Sequence, residues 1–182
     1  MLPPDPTAAA GLVAAVSDNS VAYDLVLLAH VLTALVGLVA VVTAAGFALA
    51  LRSALRRGGP LPETVVRYYR PGINWVGRVL FAVPVLGAAL IAMSAGEWSW
   101  SDAWVAMGLA AWAVVAMAAE AVLWPGERRL QEVVAVGAGA ASDDDTGVRV
   151  ADAGVRCLQL GLLGLGLGVA LVAIGVLMVA KP

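Results

Sequence analysis

The sequence predicts an all-α polytopic membrane protein: a bundle of four transmembrane helices, with both chain ends on the outer side of the membrane. The chain of 182 residues is 62% hydrophobic and only 13% charged, and its mean hydropathy is +0.91. These values lie outside the range of soluble globular domains. Its apolar residues fall into four segments of membrane length. No segment alternates with the period of a strand, and helices satisfy their own backbone hydrogen bonds in lipid.

The four predicted spans form one membrane domain over residues 23–182, preceded by an outer N-terminal extension over residues 1–22. The first span begins at Tyr23, and the third stops at Pro125 because proline cannot easily continue a helix. The Gly/Ala-rich connection after it predicts a flexible link, and the fourth helix is expected to begin as early as Gly147. The predicted spans are 23–51, 73–95, 103–124 and 155–180.

The arginines predict the orientation, because cytoplasmic loops of membrane proteins are enriched in Lys and Arg. The outer connection over residues 96–102 and the stretch before Tyr23 contain neither residue, which places both outside. The first and third connections are therefore predicted to be cytoplasmic. Their arginines are Arg52, Arg56, Arg57, Arg67 and Arg70 in the first, and Arg128, Arg129, Arg149 and Arg156 in the third.

Several function classes are excluded by residue content. The only cysteine, Cys157, cannot form an internal disulfide or a multi-cysteine metal site. The chain has no phosphate-binding glycine loop and no nucleophile or zinc-protease motif, and its formal net charge of −2 argues against nucleic acid as a partner. The run Asp143-Asp-Asp145 is an acidic cluster before a helix, which is typical of a solvated cap.

The only histidine, His30, is the leading functional candidate, because an ionisable ring within a bilayer normally faces the bundle interior, a cavity or a ligand. It lies about 10 Å below Tyr23 in the outer third of the bilayer. Thr33, Gly37 and Ala44 share its helix face, so this stripe is expected to face protein. A neutral ring hydrogen-bonded to a neighbouring helix, with no ligand at all, is an equally weighted alternative.

Three methionines are predicted at the same depth as His30. A His/Met set of ligands suits a b-type haem or copper(I). The alternative is that each methionine fills a gap between helices. The three are Met93, Met107 and Met178.

A second polar pair is predicted on the inner side, where Arg78 and Glu120 have matching depths in the second and third spans. Unpaired charges at that level are costly, so the simplest expectation is a structural ion pair. A proton path is the alternative.

The last span carries four glycines that recur at helical spacing and form one smooth seam. Small residues in such a seam allow close helix contact, either within the bundle or against a partner. Glycine would also let a flat macrocycle lie against the backbone. The seam consists of Gly161, Gly164, Gly168 and Gly175.

Four features occur together: His30 early in the first helix, Pro71-Gly72 before the second, Trp124-Pro-Gly-Glu-Arg-Arg129 after the third, and the terminal Met178-Val-Ala-Lys-Pro182. In these features the chain resembles an uncharacterised bacterial family of four-helix integral-membrane proteins of unknown function. That family is distantly similar to the copper-resistance D family and the four-helix protoporphyrinogen oxidases.

The resemblance implies a bacterial cytoplasmic membrane as the location. It also implies haem binding, which carries over only to His30 and Lys181. The chain lacks the second histidine and the longer basic helix of the oxidases, which argues against oxidase activity.

Two functions remain open. One is a b-haem redox protein with His30 as an axial ligand, assisted by Lys181 or a methionine. The other is a non-enzymatic subunit or assembly factor, embedded in the lipid bilayer, that docks through its glycine seam on other membrane subunits, such as a respiratory complex, or on a second copy of itself. A small chain with few interior polar groups fits the second function somewhat better, so we favour a non-enzymatic protein over an enzyme. Copper handling ranks third.

Overall fold

The computed structural model describes residues 6–139 and 146–180, with side chains described over 21–135 and 152–180. Within these ranges the chain forms seven α-helices and no strand. A 3-10 turn over Val79–Phe81 joins α3 to α4, and a π turn over Ala119–Leu123 joins α5 to α6. The helices are α1 (Pro6–Arg57), α2 (Glu63–Tyr68), α3 (Trp75–Arg78), α4 (Ala82–Met93), α5 (Ala103–Ala118), α6 (Trp124–Gly139) and α7 (Thr146–Ala180).

Four helical stretches are long and apolar enough to cross a membrane, which confirms the predicted fold class. They differ in length: 37, 19, 33 and 29 residues in chain order. The second is the shortest and contains α3, the 3-10 turn and α4. The stretches are Val21–Arg57, Trp75–Met93, Ala103–Ala135 and Asp152–Ala180.

The third span does not stop at Pro125 as we predicted. The helix passes through the π turn at Ala119–Leu123 and continues as α6 to Gly139. A proline ring clashes with the carbonyl four residues earlier, and a π turn widens the helix and relieves this contact. Segment 125–155, expected to be a flexible link, is therefore largely helical, and residues 140–145 lie outside the described residues.

The first and last helices are longer than their spans. Helix α1 begins at Pro6, so residues 6–22 of the predicted extension continue the first span without a break. Helix α7 begins at Thr146, which confirms the early start expected near Gly147. The acidic run Asp143-Asp-Asp145 lies outside the described residues.

A second proline shapes the start of α4. Pro84 cannot donate a hydrogen bond to the carbonyl of Leu80. The chain forms a 3-10 turn at Val79–Phe81, and the indole N–H of Trp112 in α5 donates to the Leu80 carbonyl over 3.2 Å. A neighbouring helix thus satisfies the group that the proline leaves free, as prolines within membrane helices require.

The glycine seam packs on α1 over most of its length. A Cβ added to Gly161 would lie 2.6 Å from Leu49, one at Gly164 would lie 2.8 Å from Ala45, and one at Gly168 would lie 2.9 Å from Val42. Close packing is confirmed for these three glycines. Gly175 faces open space. Because α1 covers three glycines of the seam, only the part around Gly175 is left open to a partner.

The two ends of the bundle differ in packing. We call the end formed by residues 51–78, 119–135 and 152–160 the arginine-rich end, and the end formed by residues 21–37, 87–107 and 168–180 the histidine end. The buried cluster lies at the arginine-rich end and in the middle of the bundle. It comprises Val41, Ala48, Leu51, Val65, Tyr69, Leu80, Val115, Ala119, Leu123, Trp124, Leu130, Val134, Cys157, Leu160 and Leu167.

Candidate functional site

His30 lies at the histidine end, where α1 faces α4. A Cβ added to Gly87 of α4 would lie 3.4 Å from Cε1 of His30 and 3.8 Å from its Nδ1, so the imidazole occupies the space that this glycine leaves. The backbone of Val83, one turn earlier in α4, also lies close to the ring. The absence of a side chain at Gly87 is what admits an aromatic ring between these two helices.

The two ring nitrogens of His30 have different surroundings. Among the described side chains, Nδ1 is the buried polar atom that has no hydrogen-bond partner. The residue as a whole is half-buried, so part of its side chain is open at the bundle surface. A buried polar nitrogen without a partner costs free energy. Nδ1 therefore does not form the predicted hydrogen bond to a neighbouring helix.

The stripe that contains His30 faces protein, as predicted. Gly37 and Ala44 are buried, and a Cβ on Gly37 would lie 2.9 Å from Cδ1 of Leu80. The hydroxyl of Thr33 donates to the Ala29 carbonyl of its own helix over 2.6 Å, so its proton is not available to the imidazole. Towards the histidine end, the inward-facing residues of α1 change from buried to half-buried. The helices are thus packed less closely around His30 than around Gly37 and Ala44.

The three predicted methionine ligands have different surroundings at the histidine end. The side chain of Met178 fills the space beside Gly108 of α5, as expected for a gap-filling residue. Met107 is 48% exposed, and Met93 is half-buried at the end of α4. Lys181, the other predicted ligand, lies outside the described residues. No group of three or more His, Cys, Asp or Glu side chains suited to a metal ion occurs in the described part of the chain.

The predicted ion pair between Arg78 and Glu120 is not formed. The guanidinium of Arg78 lies over the rings of Trp75 and Trp124, 5.6 and 5.5 Å from their centroids. Glu120 is exposed and lies in the π turn. A π turn changes the rotation between the residues on its two sides, so a match in depth does not give a match in face.

A carboxylate that the sequence did not single out occupies the arginine-rich end. Glu127 of α6 is only 7% exposed. Its Oε1 accepts hydrogen bonds from the hydroxyl of Tyr68 over 2.8 Å and from Nδ2 of Asn74 over 3.4 Å. The Asn74 side chain also accepts from the amide of Gly77 over 3.2 Å and so caps α3. Glu127 thereby ties the first connection to the third span.

Two tyrosines border this carboxylate, and both have a raised pKa. Burial is the main cause for each; for Tyr68 the charge of Glu127 adds to it, and for Tyr69 nearby Cys157 and Glu127 do so. The phenol of Tyr68 therefore stays protonated and remains a donor to Glu127. Its ring stacks on Phe47 of α1, with centroids 4.0 Å apart and planes 6° from parallel. Tyr68 links α1 to α6 in this way.

The signal that could have identified Glu127 is its position on α6. Trp124, Glu127, Leu130 and Val134 recur at helical spacing, and all four are buried. The interpretation of Pro125 as a stop signal placed Glu127 in a loop, where a carboxylate is normally solvated.

Comparison of the chain with protein-family models, with curated proteins and with solved structures finds no match. The resemblance to a four-helix bacterial family therefore stays a prediction.

Proposed function

We propose that this chain is a non-enzymatic subunit or assembly factor that docks on a larger membrane complex, such as a respiratory complex, through its histidine end. The observation that supports this proposal most directly is the half-buried imidazole of His30, whose Nδ1 is buried without a partner. A buried polar group is normally satisfied by a hydrogen bond. A segment or ligand from outside the described chain would supply one.

The histidine end of α1 also presents an apolar surface. Adjacent aliphatic positions of α1 are exposed in successive turns, including Leu27 with Leu28, Val31 with Leu32, and Leu35 with Val36. At about 100° per residue these positions lie mainly on the face away from the His30 stripe, where lipid or a partner helix would cover them. Lipid tails cannot hydrogen-bond to an imidazole, so the group that satisfies Nδ1 would come from a polar side chain of a protein segment that reaches the ring.

A b-type haem bound at the histidine end, with His30 as an axial ligand, is the second candidate. It is favoured by one observation: His30 is half-buried, so part of its side chain is open to a ligand at the histidine end. A haem would supply one-electron chemistry to the complex. Met178 fills the space beside Gly108, so a second axial ligand would come from another residue or from a partner chain. The position of Met178 gives no support to copper handling.

The experiment that separates these candidates compares the wild-type protein with His30→Ala and Thr33→Ala, all purified in mild detergent. Thr33 is the matched control, because it shares the stripe and its hydroxyl is satisfied within α1. An oxidised-minus-reduced spectrum with a b-type band that His30→Ala alone abolishes would support the haem candidate. Absence of a band would favour docking.

Docking is then measured as the apparent size of the particle that contains each protein after extraction from native membranes. We expect the wild type and Thr33→Ala to migrate in an assembly larger than the monomer, and His30→Ala to shift towards the monomer. If all three variants migrate as monomers and show no band, both candidates are wrong.

A further inference from the structure

A shallow depression lies at the arginine-rich end, between the start of the second span and α6. Its lining includes Asn74, Arg78, Trp124, Glu127, Arg128 and Gln131. The side chain of Gln131 donates to the Gly72 carbonyl over 3.3 Å, which holds the first connection against α6. The depression is therefore built by two segments that are fixed to each other.

Arg78 is a half-buried charged group in this depression. Its guanidinium lies over the indole rings of Trp75 and Trp124, and this contact with ring faces does not use the N–H groups at the edge of the guanidinium. Among the described residues, Arg78 forms no hydrogen bond and no ion pair. A guanidinium carries five N–H donors and prefers planar, bidentate acceptors such as phosphate.

The charge of the depression suits a single anion. Arg78 and Arg128 contribute two positive charges and Glu127 one negative charge, which leaves one positive charge. The Glu127 carboxylate accepts from Tyr68 and Asn74, and it forms no ion pair with Arg78. The donors of Arg78 therefore remain available to a ligand.

The position of the depression points to a lipid headgroup. Trp75 begins the second span and is 67% exposed, as expected for an aromatic residue at a membrane interface. Arg78 lies one turn further into the same span, at the depth where phosphates meet the hydrocarbon region. Basic pockets between membrane helices on the cytoplasmic side are known to hold anionic headgroups.

We propose that this depression binds the phosphate of an anionic phospholipid from the leaflet at the arginine-rich end. Arg78, held between Trp75 and Trp124, and Arg128 at the exposed rim form the phosphate contacts. This site is separate from the histidine end, and the proposal does not depend on what His30 binds.

The test measures lipid retained by the purified protein in native mass spectrometry, after titration with phosphatidylglycerol or with phosphatidylcholine of the same acyl chains. We expect the wild type to retain phosphatidylglycerol preferentially. Arg78→Gln should weaken its apparent affinity about tenfold, because charge-assisted contacts to the phosphate are lost. The matched control is Arg56→Gln, which removes an exposed arginine that does not line the depression and should change the affinity less than about twofold, because an exposed charge without a direct contact contributes little.

A second variant tests the proposal if Arg78→Gln fails to fold. Arg128 is exposed and lines the depression, so Arg128→Gln should fold normally and weaken retention about fivefold, because one charge-assisted contact to the phosphate is lost. Three results would overturn the proposal: equal retention of the two lipids, an equal loss in Arg56→Gln and Arg78→Gln, or Arg78-dependent binding of inorganic phosphate that displaces the lipid. The last result would assign the site to a soluble anion.

Discussion

The two ends of the bundle treat a buried polar side chain in opposite ways. At the arginine-rich end, Glu127 accepts hydrogen bonds from Tyr68 and Asn74 inside a closely packed cluster. At the histidine end, Nδ1 of His30 is buried without a partner, and the helix face around it is half open. Among the described side chains, the buried carboxylate at one end is satisfied within the chain, whereas the buried ring nitrogen at the other end is not. This difference is the reason why our proposed docking site lies at the histidine end.

The largest expected effect is the loss of the Glu127 network. Glu127→Ala removes the acceptor of Tyr68 and Asn74 and leaves both donors unpaired at a buried position. We expect the free energy of unfolding in detergent to fall by about 3 kcal/mol, the upper end of the range for removing one partner of a buried hydrogen bond. Glu120→Ala is the control, because Glu120 is exposed and its loss should change stability by less than about 0.5 kcal/mol. Similar losses in the two variants would show that Glu127 has no special structural role.

The next effect compares glycines at different levels of the bundle. A Cβ at Gly164 would lie 2.8 Å from the Cβ of Ala45 and 3.3 Å from the Val41 carbonyl oxygen, whereas a Cβ at Gly87 would make an ordinary contact with His30 at 3.4 Å. Gly164→Ala should therefore destabilise the protein by about 2 kcal/mol, as overpacking does.

Two controls accompany this prediction. Gly175 faces open space, so Gly175→Ala should be neutral or stabilising by up to about 1 kcal/mol, because alanine favours the helix. Gly87→Ala should also be tolerated. Thermal unfolding in detergent measures all three variants, and a Gly87→Ala loss as large as that of Gly164→Ala would contradict the difference in packing between the two levels.

A smaller effect is expected from Tyr68 and depends on pH. Tyr68→Phe removes one hydrogen bond to Glu127 and should cost about 1 kcal/mol at neutral pH. Because the pKa of Tyr68 is raised in the folded state, folding favours the protonated phenol. Its contribution is complete below the unfolded pKa of about 10 and decreases as the pH rises above that value.

The measurement is thermal stability as a function of pH in the wild type and in Tyr68→Phe. The two curves should converge above about pH 10. A constant separation over the alkaline range would mean that the tyrosine proton is not linked to folding.

The smallest expected effect on stability is that of His30→Ala. Its Nδ1 has no hydrogen-bond partner, so truncation breaks no hydrogen bond at that nitrogen. We expect a change of less than about 1 kcal/mol, limited to the packing of a half-buried ring. A loss as large as that of Glu127→Ala would show that the ring forms a strong interaction within the chain, which would remove the contrast between the two ends.

The fold was predictable because hydropathy and helical spacing report directly on lipid exposure and close packing. The four spans follow from hydropathy, and the contacts of Gly161, Gly164 and Gly168 follow from their spacing. The course of the chain near Pro125 was not predictable in the same way. Proline is a local stop signal, and the π turn that accommodates it depends on the helices packed around it.

The candidate sites also include one feature that is visible in the sequence and others that depend on how the helices pack. The unusual character of His30 is visible in composition, since it is the only histidine of an apolar chain. The burial of Glu127 depends on α6 being a helix and on Tyr68 and Asn74 arriving from a distant connection. The predicted Arg78–Glu120 ion pair is wrong because equal depth in two helices does not imply proximity. The indole rings of Trp75 and Trp124 lie next to the guanidinium instead.

The short second span also limits the membrane in which this protein fits. Its 19 residues rise about 29 Å, close to the thickness of an average hydrocarbon core of about 30 Å. It can cross only when nearly upright, whereas the 37-residue first stretch has length to spare and accommodates by tilting. A thicker bilayer would therefore strain the second span first. Because α4 of this span faces His30, such hydrophobic mismatch would act on the half-open surface around His30.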